Sequence, residues 1–179
     1  MAAGIALSAA AFYVLFYTLY LKPRTVQNIV IGGAAGSVGP LIGWAAASGQ
    51  LSWEAWVLFG VIFLWTPPHF WCLALKYKEQ FAEAGFPMMP VVYGDRVTKL
   101  QIFAYSLTLL PAIAVLGFSS VVGLGFLVPS LLVTAYFIYL CYLVMKDRTE
   151  PMGVFLFSCL YVFVVFGSLF FERLLVLFL

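Results

Sequence analysis

Six long apolar runs dominate the chain, and short polar connections separate them. The runs cover residues 2–21, 29–47, 53–75, 100–118, 121–145 and 152–171. A helix that crosses a bilayer needs about 20 mostly apolar residues, whereas a strand of a membrane barrel alternates over about 10. These runs are continuous and have the helical length. The pattern therefore predicts an all-α, polytopic membrane bundle of about six transmembrane helices, with residues 1–179 forming a single transmembrane domain.

The composition agrees with a lipid environment. Of the 179 residues, 65% are hydrophobic and only 9% are charged, whereas a typical soluble domain has about 25% charged residues. The net charge of +2 does not suggest a nucleic-acid partner. Cys72, Cys141 and Cys159 lie inside apolar runs without metal-type spacing, which is typical of small buried hydrophobic residues. The first run is too long for the core of a signal peptide and has no basic leader, so it is interpreted as a span.

Basic residues occur on every second connection. Eight of the nine Lys and Arg residues follow the first, third and fifth runs: Lys22, Arg24, Lys76, Lys78, Arg96, Lys99, Lys146 and Arg148. The positive-inside rule therefore predicts that these connections lie in the cytoplasm or an equivalent compartment. Both chain ends then lie on the opposite face, which would be explained if an odd number of spans preceded Met1.

The connection at residues 76–98 is the longest and the most charged. It contains several apolar side chains, so a disordered loop is not expected. We predict a short amphipathic helix around residues 78–84 and a turn at Gly85, Pro87 and Pro90. This segment would form a cytoplasmic cap on the membrane domain. An interfacial loop that only anchors at the headgroups is the alternative.

The second and third runs carry helix-disturbing residues. Gly32 and Gly36, then Gly39 and Gly43, are spaced four apart, which predicts close helix packing, with a substrate groove beside a bend at Pro40 as the alternative. In the third run, WTPPHFW predicts a bend at Pro67 and Pro68, with His69 directed into a polar cavity. From the residues alone, a structural histidine, a heme ligand and a proton-handling group all remain open.

Two stretches resemble a known enzyme family. YTLYLKPRTVQNIVIGGAAGSVGPLIGWAA and FLWTPPHFWCLALKYKEQFAEAGFPMMPVVYG are similar to protoheme IX farnesyltransferases (heme O synthases), a branch of the intramembrane aromatic prenyltransferase superfamily. The resemblance is dense over residues 10–100. It implies about nine spanning helices around a central cavity, of which this chain would hold the C-terminal two-thirds. It also implies transfer of a farnesyl group from farnesyl diphosphate to a vinyl group of heme b, with Mg²⁺ as the cofactor.

The resemblance also implies roles for individual residues. Lys22, Arg24, Asn28 and Lys78 match positions that contact the diphosphate, and His69 is a candidate for contact with heme. Glu79 and Glu83 are weak candidates for metal ligands, and Gly85, Pro87, Met88 and Pro90 shape the cap. Two departures bear on activity: the acidic motif of the family's first three helices is absent, and Gln80 and Phe81 replace a frequent acidic residue and tyrosine. We therefore expect impaired activity of this chain alone.

Two other functions fit the pattern less closely. A prenyltransferase with a quinone-type aromatic acceptor would share the fold, but PPHFW and AGFPMMP resemble the heme branch. A non-catalytic membrane protein, such as an oxidase assembly or transport subunit, would explain the missing acidic motif. The retained loop with Lys22 argues against that alternative.

Overall fold

The computed structural model describes residues 1–178. Every regular element in that range is a helix, and there is no strand. Helix α1 (Ala2–Ala11) continues through a π-helical segment (Phe12–Leu21). The remaining helices are α2 (Asn28–Gly36), α3 (Gly39–Ser48), α4 (Trp53–Lys76), α5 (Lys78–Glu83), α6 (Met89–Leu116), α7 (Leu124–Met145) and α8 (Pro151–Phe178). Six helical units are long and apolar enough to cross a membrane, which confirms the predicted all-α bundle of six spans.

Two spans extend further than hydropathy predicts. The fourth begins at Met89 rather than residue 100, and the sixth reaches Phe178 rather than residue 171. In the fourth span the added turns contain charged residues beside the buried Met89, Pro90 and Thr98. Such amphipathic turns lower the local hydropathy while they still pack on the bundle. The segment at 76–98 is therefore mostly helical, and its predicted short helix is α5.

The second span is broken near its centre. Helix α2 ends at Gly36 and α3 begins at Gly39, with Pro40 in the first turn of α3. Because proline has no backbone N–H, Pro40 cannot donate to the carbonyl of Gly36, four residues earlier. The sequence predicts a bend at Pro40, and the helix is interrupted just before this residue. Helix α4, in contrast, runs without interruption through Pro67 and Pro68, both of which are buried.

Helix α4 is the central element of the bundle. It packs against α6 and α8, which together with α7 enclose the main hydrophobic core, and on its other side against α2 and α3. Fully buried side chains of this core include Trp71, Phe126, Phe137 and Tyr161. The first span packs against α2 and α3 instead, so α4 separates the main core from the region that holds Lys22.

Polar side chains gather at the two ends of the bundle, and the two groups differ in charge. At one end, the connection after the first span meets the segment after α4, and Lys99 pairs with Asp147 in the connection between α7 and α8. We call this the basic end. At the other end, Glu54 and Glu172 contact the connection between α6 and α7. We call it the acidic end. Alternate connections therefore share an end, as the distribution of Lys and Arg predicts.

Candidate functional site

Lys22 lies at the basic end, directly after the π-helical segment. Its backbone N–H donates to the carbonyl of Tyr17 at 2.8 Å, and its ammonium Nζ lies 4.7 Å from the centroid of the Phe86 ring. Within residues 1–178 the ion pairs are Lys78–Asp95 and Lys99–Asp147, so Lys22 has no acidic partner there. Its ammonium is a free cation with three N–H donors available to an anion.

Arg24 contacts the end of the helix rather than an open surface. Its Nη1 donates to the carbonyls of Leu19 at 3.0 Å and Tyr20 at 3.4 Å, and its guanidinium carbon lies 4.8 Å from the Tyr20 ring centroid. These carbonyls belong to the last turn, where backbone acceptors lack helical partners and cations are favourable. The geometry therefore gives Arg24 a capping role, and a diphosphate contact by Arg24 stays a prediction.

Asn28 fixes the turn that carries Lys22. It is fully buried, and its Nδ2 donates to the carbonyl of Thr25 at 2.8 Å and to that of Lys22 at 3.5 Å. Its Oδ1 is buried with no hydrogen-bond partner. Buried polar atoms are normally paired, and an unpaired acceptor costs about 1–3 kcal/mol. Asn28 thus shapes the backbone under Lys22 and leaves one buried acceptor without a donor.

Lys78 is also at the basic end, but its charge is paired. Its Nζ lies 2.8 Å from Oδ1 of Asp95, and both side chains are about half exposed. The structure brings Lys22 and Lys78 to the same end of the bundle, because Phe86, under Lys22, follows directly after the helix that starts at Lys78. Asp95 and Phe86 were not among the predicted site residues. Only the tertiary contact reveals them, since each lies far from its lysine in sequence.

The predicted metal ligands do not form a cation site by themselves. Glu79 and Glu83 lie on the exposed side of α5, and no group of three or more His, Cys, Asp or Glu side chains within residues 1–178 is arranged to hold a metal. Mg²⁺ prefers near-octahedral coordination by oxygen atoms. Two exposed carboxylates do not provide this coordination, so the described residues do not fit a complete magnesium site.

A segment from Tyr77 to Asp95 covers part of the basic end. It contains α5, a turn, and the first residues of α6, where Met88 and Met89 are only 1% and 4% exposed. Helix α6 is kinked at Gly94, which has φ 78° and ψ 171°. This backbone conformation is essentially restricted to glycine. The kink therefore requires Gly94 and sets the position of Asp95 relative to Lys78.

His69 is packed rather than directed into a polar cavity, which corrects the expectation from the sequence. Its imidazole stacks between the rings of Trp65 and Phe155, with centroid distances of 4.2 and 4.5 Å, and its Nδ1 lies 2.5 Å from Oγ of Ser158. A neighbouring span, α8, supplies the two partners that sequence spacing could not identify. The surroundings favour the structural interpretation, and contact with heme stays a prediction.

Glycines line a space between the first three spans. A Cβ on Gly32 would lie 2.2 Å from the Tyr17 ring, and one on Gly33 would lie 3.2 Å from Cγ2 of Thr66. Gly32 therefore permits close packing, as predicted, whereas Gly36, Gly39 and Gly43 have open space. The break at Ser37 and Val38 interrupts the helix, so the four glycines do not form one continuous face.

Two apolar spaces lie one after the other along the first three spans, and we call them together the apolar track. A cavity of about 210 Å³ lies next to Tyr17, Gly32, Gly36 and Phe70. A separate groove of about 620 Å³ lies farther along the same three spans toward the acidic end, beside Phe12, Ala34, Val38 and Phe59. Tyr17 lies one helical turn before Lys22. The track therefore has a free cation near one end and apolar walls along its length.

Comparison with known proteins identifies the family. The model of the UbiA prenyltransferase family matches residues 1–161. The chain belongs to this family. No solved structure matches the chain. The six spans and this membership together make it a multi-pass integral membrane protein.

Curated relatives are more specific in their names. A protein named protoheme IX farnesyltransferase from Gloeobacter violaceus is 47% identical over 171 residues, which cover 94% of this chain and 56% of that protein. Proteins of the same name from Thermosynechococcus vestitus and Symbiobacterium thermophilum are each 46% identical, over 98% and 93% of this chain and 56% and 57% of their own lengths. The chain thus spans about half the length of the curated relatives it matches.

Proposed function

We propose that this chain forms part of a protoheme IX farnesyltransferase, which transfers a farnesyl group from farnesyl diphosphate to a vinyl group of heme b to give heme O. The observation that carries the proposal is the free Lys22 ammonium at the end of an apolar track. Farnesyl diphosphate has the same polarity, with a charged head and a long apolar tail. The names of the relatives support heme b as the acceptor.

The diphosphate would bind at the basic end. Lys22 would donate to its phosphate oxygens, because no carboxylate within residues 1–178 occupies this ammonium. Lys78 lies at the same end and would bind the diphosphate after its ammonium releases the carboxylate of Asp95. Charge-assisted hydrogen bonds of this kind are about twice as strong as neutral ones. They would also stabilise the diphosphate as it leaves.

The isoprenoid tail would lie along the apolar track. Breaking the bond between the allylic carbon and the diphosphate oxygen leaves a carbocation, which water would capture unless it is excluded. Apolar walls, including Phe70 and Phe59, would limit the access of water to this carbocation. The vinyl group of heme b would then supply the electron pair for the new carbon–carbon bond, and a water molecule would add to the carbocation left on the other vinyl carbon and release a proton.

A divalent metal ion would need more ligands than the side chains of residues 1–178 supply. Prenyltransferases of this family generally depend on a divalent metal ion, which when bound neutralises diphosphate charge. We propose Mg²⁺ as that ion. Glu79 and Glu83 remain weak candidates for ligands of this ion, but the two carboxylates do not form its site alone. Lys22, Lys78 and the apolar walls would act alongside that ion.

We also propose that the basic end faces the cytoplasm, in a bacterial or mitochondrial inner membrane. Lys22, Lys78, Lys99 and the other basic residues of the alternate connections gather there, and cytoplasmic loops carry such an excess of Lys and Arg. Farnesyl diphosphate, with its charged head, would then bind from the cytoplasmic side.

Heme analysis tests the proposed reaction. We would express a fusion in which the part of the Gloeobacter violaceus relative that this chain does not match precedes residues 1–179. Mass spectrometry of extracted hemes should then detect heme O, and the Lys22→Ala fusion should form much less. The 179-residue chain alone should form none. A membrane-inserted fusion that makes no heme O, beside an active relative, would contradict the proposal.

The predicted contact between His69 and heme has its own test. Heme b titration of the purified chain, followed by Soret absorbance, should show weaker binding for His69→Ala. Ser158→Ala serves as the matched control, because it removes the hydrogen-bond partner of Nδ1 but keeps the imidazole. Equal heme affinity in the wild type and His69→Ala would leave His69 with a structural role.

A further inference from the structure

We propose that Phe86 is a positioning residue: its ring holds the Lys22 ammonium in place for the diphosphate. This inference rests on the proposed function and adds a residue that the reaction needs but that does not touch the reacting atoms. The two side chains are 64 positions apart in the sequence, 22 to 86, and the fold places the ammonium 4.7 Å from the ring centroid. This distance is within the range of cation–π attraction.

The backbone of Phe86 is hydrogen-bonded through both its N–H and its carbonyl. Its N–H donates to the carbonyl of Phe81 at 3.0 Å, and its carbonyl accepts from the N–H of Met88 at 2.8 Å. The following side chains, Met88 and Met89, are almost completely buried. The backbone that presents the ring to Lys22 is therefore anchored at the end of the bundle.

Lys22 is held from its own side as well. The carbonyl of Lys22 accepts from Nδ2 of the buried Asn28, and its N–H donates to Tyr17. The four-carbon stem of lysine is nevertheless flexible and retains considerable rotamer entropy. A contact at the ammonium removes that freedom before an anion binds, which lowers the entropic cost of binding.

An aromatic partner suits this task better than a carboxylate. A carboxylate neutralises the ammonium and occupies its N–H donors, as Asp95 does for Lys78. The face of a phenyl ring attracts the cation through its quadrupole and leaves the positive charge in place. Lys22 therefore keeps its donors for a phosphate, whereas Lys78 must exchange a partner. The difference points to Lys22 as the first cation to meet the diphosphate.

A ligand-free measurement tests the geometry. Lysine amines of the purified chain in detergent would be dimethylated with ¹³C-formaldehyde, which preserves their charge, and observed by NMR. The chain has five lysines, and the signal that disappears in Lys22→Arg is that of Lys22. Because its ammonium lies over the ring, the Lys22 signal should be shifted upfield. Phe86→Leu should return it to the position of exposed lysines.

Binding of inorganic pyrophosphate in the presence of Mg²⁺ tests the role. Phe86→Leu should weaken pyrophosphate affinity about 2- to 5-fold, the range expected for one exposed cation–π contact. Phe86→Tyr should retain the affinity, because it keeps the ring. In the Lys22→Ala background, Phe86→Leu should change nothing further. A merely structural Phe86 would instead cause the same loss in both backgrounds.

The two measurements separate the possible failures. An unshifted Lys22 signal in a chain that binds pyrophosphate would overturn the positioning role and leave the proposed function intact. The same holds if Phe86→Leu binds as tightly as the wild type. A shifted Lys22 signal in a wild-type chain that shows no saturable pyrophosphate binding would contradict the proposed function itself, and with it the role of Phe86.

Discussion

Glu54 and Glu172 at the acidic end and Lys22 at the basic end use their charges in opposite ways. At the acidic end, Glu172 accepts from the backbone N–H groups of Gly123 and Phe126, and Glu54 accepts from Oγ of Ser119 at 2.8 Å. At the basic end, Lys22 contacts only an aromatic face with its ammonium. The carboxylates are occupied by donors of the same chain, and the ammonium is not. Glu54 and Glu172, whose carboxylates accept hydrogen bonds from the chain, therefore have a structural role, whereas Lys22, whose ammonium has no such partner, is the proposed binding residue.

Glu172 shows how a satisfied charge builds structure. It lies on α8, and the N–H groups that it receives belong to the start of α7, where backbone donors lack helical partners. A negative charge at a helix N-terminus is also favourable for the helix dipole. A Cβ on Gly123 would lie 2.6 Å from the carboxylate, so a side chain at this position would displace the carboxylate. The end of α8 is thereby joined to the start of α7.

Removal of the free cation should give the largest effect on binding. Lys22→Ala deletes a charge-assisted donor, so pyrophosphate affinity should fall about 10- to 100-fold, while loss of the contact with Phe86 should lower the unfolding midpoint by no more than about 4 °C. Isothermal titration and thermal unfolding in the same detergent measure both quantities. Arg24→Ala is the matched control, because its guanidinium caps the helix end and its loss should lower stability more than affinity. Unchanged pyrophosphate affinity in Lys22→Ala would show that Lys22 is not a binding residue.

Loss of the Glu172 carboxylate should have the opposite signature. Glu172→Ala leaves two backbone N–H groups of the α7 start without their acceptor and should lower the free energy of unfolding by about 2 kcal/mol. Pyrophosphate affinity should not change. Denaturant unfolding in mixed micelles measures the first quantity, with the adjacent Arg173→Ala as control. A Glu172→Ala chain of wild-type stability would show that this carboxylate is not structural.

Glu54 should behave like Glu172 on a smaller scale. Its contact is a single hydrogen bond from Ser119, whose Oγ in turn accepts from the N–H of Val121 at 3.0 Å. Glu54→Ala should cost about 0.5–1.5 kcal/mol of unfolding free energy. The Glu54→Ala, Ser119→Ala double variant should lose less than the sum of the single losses, since both remove one contact. Strict additivity would contradict the pairing.

Asp95 should give the smallest change. Its ion pair with Lys78 is about half exposed on both sides, and such pairs contribute at most about 1 kcal/mol. Asp95→Asn should leave stability within that margin. It should tighten pyrophosphate binding slightly, by about twofold at most, because Lys78 no longer has to exchange a partner. Weaker binding in Asp95→Asn would mean that the carboxylate helps to hold the anion.

The sequence predicts the spans well because burial in lipid acts on every residue of a helix. Apolar runs and the alternation of Lys and Arg were sufficient to predict six helices and the shared end of Lys22 and Lys78. The start of α6 at Met89 was missed, since its first turns are amphipathic. The spacing of Gly32, Gly36, Gly39 and Gly43 predicted close packing at all four positions, but only Gly32 has a close neighbour. A period of four residues defines a helix face and does not show which element packs against it.

The candidate site depends on contacts that periodicity cannot show. Lys22 and Asn28 were predicted from a motif, but the partner of Lys22 is Phe86, on a different connection. His69 was expected in a polar cavity, and the deciding partners, Phe155 and Ser158, lie on the last helix. Such pairings are set by helix packing over many residues, so they become visible only in the folded chain.

The central claim is that the free cation at the basic end receives the diphosphate. A farnesyl diphosphate analogue with an activated acyl group on its terminal phosphate would acylate the lysine nearest to that phosphate, and peptide mass spectrometry would locate the label. The account predicts labelling of Lys22, with Lys78 second, and protection of both by excess farnesyl diphosphate. Labelling spread evenly over all five lysines and insensitive to farnesyl diphosphate would contradict it.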